Sequence, residues 1–188
     1  PDPDPEPDRD PNPNPDLNQV RKVLKSETPK LTRAFDATCR KGPRRLFGRS
    51  LLAADLLLSE LQERRVQRDI RVTPVPAFRG MTPPEVHTSL SALDVKGAFV
   101  ACQGAEHGEE GAPTIDFEAF LVCLALCGHV KYEEVEQMSL AQRVSGIVAN
   151  FLGEKDEQQV LTEVLAPRVE RLSTAGAVSY THLTLPTT

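Results

Sequence analysis

The sequence is notable first for what it does not contain. No hydrophobic run approaches the roughly 18 residues that a membrane span needs. There is no Gly-rich phosphate loop, no nucleophile elbow and no Cys/His pairing of a catalytic kind. Convincing period-2 alternation is missing too, which argues against a sheet protein. No secretory signal is visible, although the chain begins at Pro1 without an initiator methionine, so a fragment or processed product is expected. What is left is a chain of one-domain size, long enough to bury a core.

Cysteine is sparse. Cys39, Cys102, Cys123 and Cys127 are spread through apolar contexts and form no disulfide framework. A reducing, cytoplasmic compartment is the expectation. Cys123 and Cys127 are four apart, with His129 close behind, a spacing at which two thiolates could share a metal. They alternate with Leu124, Ala125 and Leu126, however, so buried small thiols are the better reading. His87 and His107 stand alone on polar segments and read as solvent-exposed.

The net charge of −5 conceals a division along the chain. Residues 1–20 hold six acids and one base. Residues 21–80 hold fifteen Lys/Arg against six Asp/Glu, and residues 81–188 hold six against fifteen. Two lobes of opposite charge that attract each other are expected. The basic cluster Arg40, Lys41, Arg44, Arg45 and Arg49 could meet phosphates, but it lacks interleaved aromatics and a nucleic-acid module. A solvated or lobe-facing patch is the better reading, and nucleic acid is not an expected partner.

The two ends differ from the middle. Residues 1–20 open on PDPDPEPDRDPNPNPD, a Pro-x repeat that forbids helix and has nothing apolar to bury. A disordered acidic tail is expected there, with structure beginning near Leu17. Residues 178–188, VSYTHLTLPTT, can be back-translated to a string that resembles the transposase adapter of sequencing libraries. That segment is expected to be adapter read-through, which would leave Tyr180 and His182 without biology and the natural C-terminus missing.

Between the ends the pattern is helical. Thr28 and Pro29 look like a cap and first-turn proline for a helix carrying Leu31, Ala34 and Phe35. Gly42-Pro43 should break it. A second helix carries Leu51, Ala54, Leu58 and Leu61. Residues 67–81, with Pro74 and Pro76, read as a linker. Thr82-Pro83-Pro84-Glu85 is one helix start and Ser91 to Asp94 a second, suggesting one long helix jointed near Ser89. IDFEAFLVCLALCGHV then places Phe117, Phe120, Leu121 and Leu124 on one face. Amphipathic helices are expected over 139–152, stopped by Gly153, and over 157–165, stopped by Pro167. The fold class is all-α, with at most short strand contacts.

The order helix, loop, helix, linker, helix, loop, helix, together with IDFEAF, resembles a pair of EF-hands of the calmodulin-like kind, over roughly residues 30–132. The resemblance implies a first half over 28–66, a second over 82–132 and a C-terminal helical extension over 133–172. It places Ile115 at loop position eight, where paired loops of the family join by a small antiparallel bridge. Counting forward from Phe35 puts Leu46 at position eight of the first loop, so Leu46 and Ile115 are expected to be neighbours. Phe35, Leu51, Phe99, Phe117, Phe120 and Leu124 are the expected core.

Calcium needs six to eight oxygens, with a bidentate Glu at position twelve and Gly at six. The first loop offers Cys39, Lys41, Pro43, Arg44 and Ser50 at the positions that matter, and the second offers Pro113 at six and Ala119 at twelve. Glu106, Glu109, Glu110 and Asp116 are the oxygen donors still available to a cation. Calcium binding is therefore expected to be lost or weak, and no cofactor is expected.

The expected function is non-enzymatic: a protein-binding or scaffold module. Its groove would take an amphipathic helix, either a partner's or the chain's own 139–165 segment. Degenerate pairs of this kind occur in ciliary and cytoskeletal proteins of protists, so a cilium or cytoskeleton is a further expectation. Two rivals stand beside this reading, a calcium sensor with one altered site and the regulatory lobe of a larger enzyme.

Overall fold

The computed structural model describes residues 15–42, 45–46, 49–73, 85–103 and 113–165. Among these residues the chain is mostly helical, with three small antiparallel pairings. The first helix, α1, runs Pro15–Arg40. A hairpin of β1 (Arg45–Leu46) and β2 (Arg49–Ser50) follows, then β3 (Leu52–Ala53) and α2 (Ala54–Glu63). A ribbon of β4 (Asp69–Val72) and β5 (Val86–Ser89) leads to α3 (Ala92–Ala101). The chain continues through β6 (Thr114–Ile115), α4 (Phe117–Lys131), α5 (Leu140–Leu152) and α6 (Glu157–Leu165).

Helix α1 is longer than its proline suggests. Residues 15–20, expected in a disordered tail, belong to it, and Val20 is buried. Residues 1–14 lie outside the described residues. Thr28 and Pro29 start no new helix; Pro29 is interior. Proline removes one donor and crowds the preceding turn. Here the Thr28 hydroxyl donates to the Leu24 carbonyl at 2.8 Å and the Thr32 hydroxyl to the Thr28 carbonyl at 2.9 Å. Val23 and Leu24 before the proline, and Leu31 and Phe35 after it, all pack on the same core. Packing on both sides holds the helix through the proline, a tertiary effect that local signals cannot report.

The segment expected to be linker and helix start is partly strand. Asp69↔Ser89, Ile70↔Thr88, Arg71↔His87 and Val72↔Val86 are paired. Of the two helix-start signals the later one operates. Ser91 Oγ accepts from the Asp94 amide at 3.2 Å, and the Asp94 carboxylate accepts from the Ser91 amide at 2.8 Å. This reciprocal capping box fixes the start of α3 and leaves Val86–Ser89 free to pair. Thr82, Pro83 and Pro84 lie outside the described residues.

The two C-terminal helices fall where periodicity puts them. Ser139 caps α5 in a second capping box with Gln142, and Gly153 ends it in the left-handed region at φ 71°. Pro167 is outside the described residues.

Two hydrophobic clusters result. The larger joins α1, α2, α3, α4 and α5 around Leu31, Phe35, Leu61, Phe99, Phe120, Leu124, Val144, Ile147 and Phe151. Its rings interlock: Phe35 lies 5.2 Å from Phe120, and Phe120 lies 5.6 Å from Phe151, between centroids. Phe117, half-buried, meets Phe35 edge-on at 5.5 Å. Leu51, an expected core residue, is only half-buried; its neighbour Leu52 takes the core position, because it faces inward from β3. The smaller cluster is formed by Val72, Tyr132, Val135, Met138, Val160 and Leu161. Helices α4 and α5 cross closely at Gly128, where an added Cβ would meet Ile147 Cγ2 at 2.5 Å and the Arg143 carbonyl at 2.9 Å.

No helix among the described residues is long and apolar enough to cross a membrane.

Candidate functional site

The loops of the two helix–loop–helix units meet in a two-residue antiparallel bridge, Leu52↔Ile115 and Ala53↔Thr114. Leu52 and Ile115 are both 1 % exposed, so the bridge is a core feature. Leu46, expected beside Ile115, instead pairs with Arg49 within the hairpin. The reason is chain length: β1 and β2 pair with each other after α1, so the bridging residue falls six positions later than a count from Phe35 gives. Ser50, assigned to the chelating position by that count, points back to α1 and donates to Asp36 Oδ1 at 3.0 Å.

With the bridge as reference the two units match in one respect. In each, the exit helix starts two residues after the bridging residue: α2 at Ala54 after Leu52, and α4 at Phe117 after Ile115. Asp116 is exposed, and its carboxylate accepts from the Ala119 amide at 2.9 Å, as the N-cap of α4. Glu106, Glu109 and Glu110 lie outside the described residues. Among the described residues no group of three or more His, Cys, Asp or Glu is placed to hold a metal ion.

Of the basic cluster, Arg40 and Lys41 have described side chains. Arg40 donates to the Asp36 carbonyl of its own helix. Lys41 reaches across to α2, where Nζ meets Glu60 at 2.7 Å and Glu63 at 2.8 Å. Arg45 and Arg49 sit on the two hairpin strands, and Arg44 is outside the described residues. Burial pushes the Glu60 carboxyl up, but hydrogen bonds from Lys41 and Arg64 outweigh it and hold it below the usual range. Arg64 also lies over the Phe151 ring, 4.7 Å from its centroid, and donates to the Phe151 carbonyl at 2.7 Å. It thereby ties α2 to the end of α5.

The cysteines are free, with Cys39, Cys123 and Cys127 buried. Burial pushes the Cys39 thiol up to about 11 and the Cys102 thiol up to about 12. Cys123 is raised too, by its hydrogen bond with Cys127 and by burial. Thiols held protonated are poor nucleophiles and poor ligands. His129 is exposed.

Two polar clusters went unrecognised in the sequence. Lys131 is fully buried; its ammonium donates to Glu157 Oε1 at 2.7 Å and to the Val66 carbonyl at 2.8 Å. Burial pulls its pKa below the ordinary lysine value, against the pull of Glu157. Arg68 approaches the second Glu157 oxygen at 3.5 Å. Beside this pair the Tyr132 hydroxyl donates to Asn150 Oδ1 at 2.6 Å, and Asn150 Nδ2 donates to the Lys155 carbonyl at 2.8 Å. One signal could have flagged it: Lys131 stands four residues after Cys127 and seven after Leu124, on the apolar face of α4.

The second cluster is His87, read from the sequence as solvent-exposed. It is part-buried, with Nε2 2.7 Å from Asp69 Oδ1 and Nδ1 2.9 Å from Glu134 Oε1. Because its segment was read as helix, nothing placed it across a ribbon from Asp69. His107 is outside the described residues.

A comparison with protein-family models, curated proteins and solved structures finds no match of any of the three kinds.

Proposed function

We propose that this chain is a non-enzymatic protein-binding or scaffold module, built on a degenerate EF-hand-like pair that folds without calcium. The observation that carries the reading is the Leu52↔Ile115 bridge, with both exit helices starting at the same offset from it. Taking the bridging residue as loop position eight puts Leu56 and Ala119 at position twelve. A bidentate carboxylate belongs there in a calcium loop, and neither side chain offers an oxygen. On this reading the bridge between the loops is kept and the ligand chemistry is lost.

The groove of such a pair takes an amphipathic helix, and in this chain α5 supplies one. Ala141, Val144, Ile147, Val148 and Phe151 turn its apolar face into the larger core, against α1 and α4. The module is thus read as self-occupied, its own helix standing where a partner's would lie. The chemistry of the described nucleophiles supports a binding role over a catalytic one. The thiols of Cys39, Cys102 and Cys123 are held protonated, and both ring nitrogens of His87 are taken by carboxylates.

Isothermal calorimetry of the full chain with calcium tests this reading. A flat trace at millimolar calcium is expected. Micromolar binding would favour a calcium sensor in its place.

A further inference from the structure

We propose that His87 is a pH-sensitive latch that holds the β4–β5 ribbon against the turn joining α4 to α5, closed when the imidazole is charged and released when it is neutral. The inference does not depend on the EF-hand-like reading.

The argument begins with hydrogen-bond inventory. A neutral imidazole carries one N–H and one lone pair, whereas the imidazolium carries two N–H groups. His87 has a carboxylate oxygen at each nitrogen, Asp69 Oδ1 at 2.7 Å and Glu134 Oε1 at 2.9 Å. An ionised carboxylate only accepts. Both contacts can be hydrogen bonds to ionised carboxylates only if both nitrogens donate, so the imidazolium is the form that suits this geometry. Losing the proton would leave one carboxylate facing a lone pair at hydrogen-bond distance, a repulsive contact.

The two carboxylates belong to different parts of the fold. Asp69 lies on β4, diagonal to His87 across the ribbon, whereas Glu134 lies on the turn that follows α4. His87 is therefore a tie between ribbon and turn. Behind it sits the smaller cluster, to which the ribbon contributes Val72, with Ile70 and Val86 at its edge, and the turn contributes Val135 and Met138. In front lies a cleft of about 390 Å³, lined also by Arg71, Glu85, Glu136 and Gln137.

The surrounding charges make His87 the group that switches. Arg71, opposite His87 on β4, leans toward Glu85 at 3.8 Å. Asp69 and Glu134 contact the ring, and Glu85 and Glu136 line the same cleft. The acids outnumber the single arginine, and the hydrogen bonds that His87 makes to Glu134 and then to Asp69 raise it above the ordinary 6.5. A raised folded value means that the contribution is fully present below 6.5 and disappears as pH climbs through the folded value. On the far side of the turn, Arg143 donates to the Glu133 and Val135 carbonyls and to that of Met138. His129 lies near Arg143, 3.5 Å away, and not in the clasp.

The test is an NMR titration of the histidine rings in the full chain, with amide exchange measured at pH 6 and pH 8.5 in wild type, His87→Gln and Glu134→Gln. In wild type the His87 ring should titrate above 6.5, and Glu134→Gln should move it back toward 6.5. After correction for intrinsic rates, ribbon amides at 86–89 should open more readily at pH 8.5 relative to α4 and α5. The increase should match the His87 shift, about tenfold per pKa unit. In His87→Gln the ratio should be independent of pH. A wild-type His87 titrating at or below 6.5, or the same ribbon pH profile in wild type and His87→Gln, would overturn the latch. Because the ring titration is read in wild type, it decides the matter even if a variant folds poorly.

Discussion

The larger core and the smaller cluster are closed in different ways. Around the first, rings and branched aliphatics interlock: Phe35 meets Phe120 and Phe120 meets Phe151 at tilts of 43° and 57°, and Val144 and Ile147 from α5 are fully buried among them. The smaller one is walled by polar groups with fixed partners: the Lys131–Glu157 pair, Tyr132 on Asn150, and the His87 tie outside. A dry core responds to changes of volume. A cluster closed by charge responds to the loss of one partner, because the other is left without water or counter-charge. The same chain should therefore fail differently at its two centres.

Phe120→Ala strikes the dry core where three rings and two helices converge. It is expected to cost about 3–5 kcal/mol of global stability, read from urea unfolding. If the loss is below about 1 kcal/mol, the ring cluster is not the centre of the fold.

Glu157→Gln strikes the other side. It removes the counter-charge from a buried ammonium that keeps only neutral acceptors, and should cost about 3 kcal/mol. The double change Lys131→Met with Glu157→Leu should recover most of that, since an apolar pair suits the site. Equal losses in single and double variants would show that packing, not charge, closes the smaller cluster.

Gly128→Ala tests the contact that both regions share, since α4 runs from one to the other. A methyl 2.5 Å from Ile147 Cγ2 must push α4 and α5 apart. A loss of about 1–3 kcal/mol is expected by the same unfolding measurement, with the companion Ile147→Leu, which removes the Cγ2 methyl, reducing it.

The smallest effect has the opposite sign. Arg65 holds φ at 57°, where a side chain is strained, as α2 ends. Exchange to glycine relieves that strain, and thermal unfolding of Arg65→Gly should show a gain of up to about 1 kcal/mol.

The contrast between the two regions also explains what could be read from the sequence. Helices α5 and α6 were legible to within a residue, because their apolar spacing, the Ser139 cap and Gly153 all agree. Phe35, Phe99, Phe120 and Leu124 were legible as core for the same reason. Boundaries failed where tertiary contacts override local signals. Thr28-Pro29 has the local form of a helix start, yet packing on both sides carries α1 through it. The bridge was sought at Leu46 and lies at Leu52, because a hairpin intervenes that a fixed loop count cannot anticipate. The polar clusters were hidden because their partners are distant in sequence. Lys131 and Glu157 are 26 residues apart, and His87 and Glu134 are 47 apart.

The central claim is that α5 occupies the groove of the helix–loop–helix pair without an ion. Solution NMR of the full chain, first with chelator and then at millimolar calcium, addresses it directly. Cross-relaxation between the Phe120 and Phe151 rings, and between the Leu52 and Ile115 backbones, should be present with chelator and unchanged by calcium. Absence of those contacts with chelator, or their appearance or loss as calcium is added, would contradict the account.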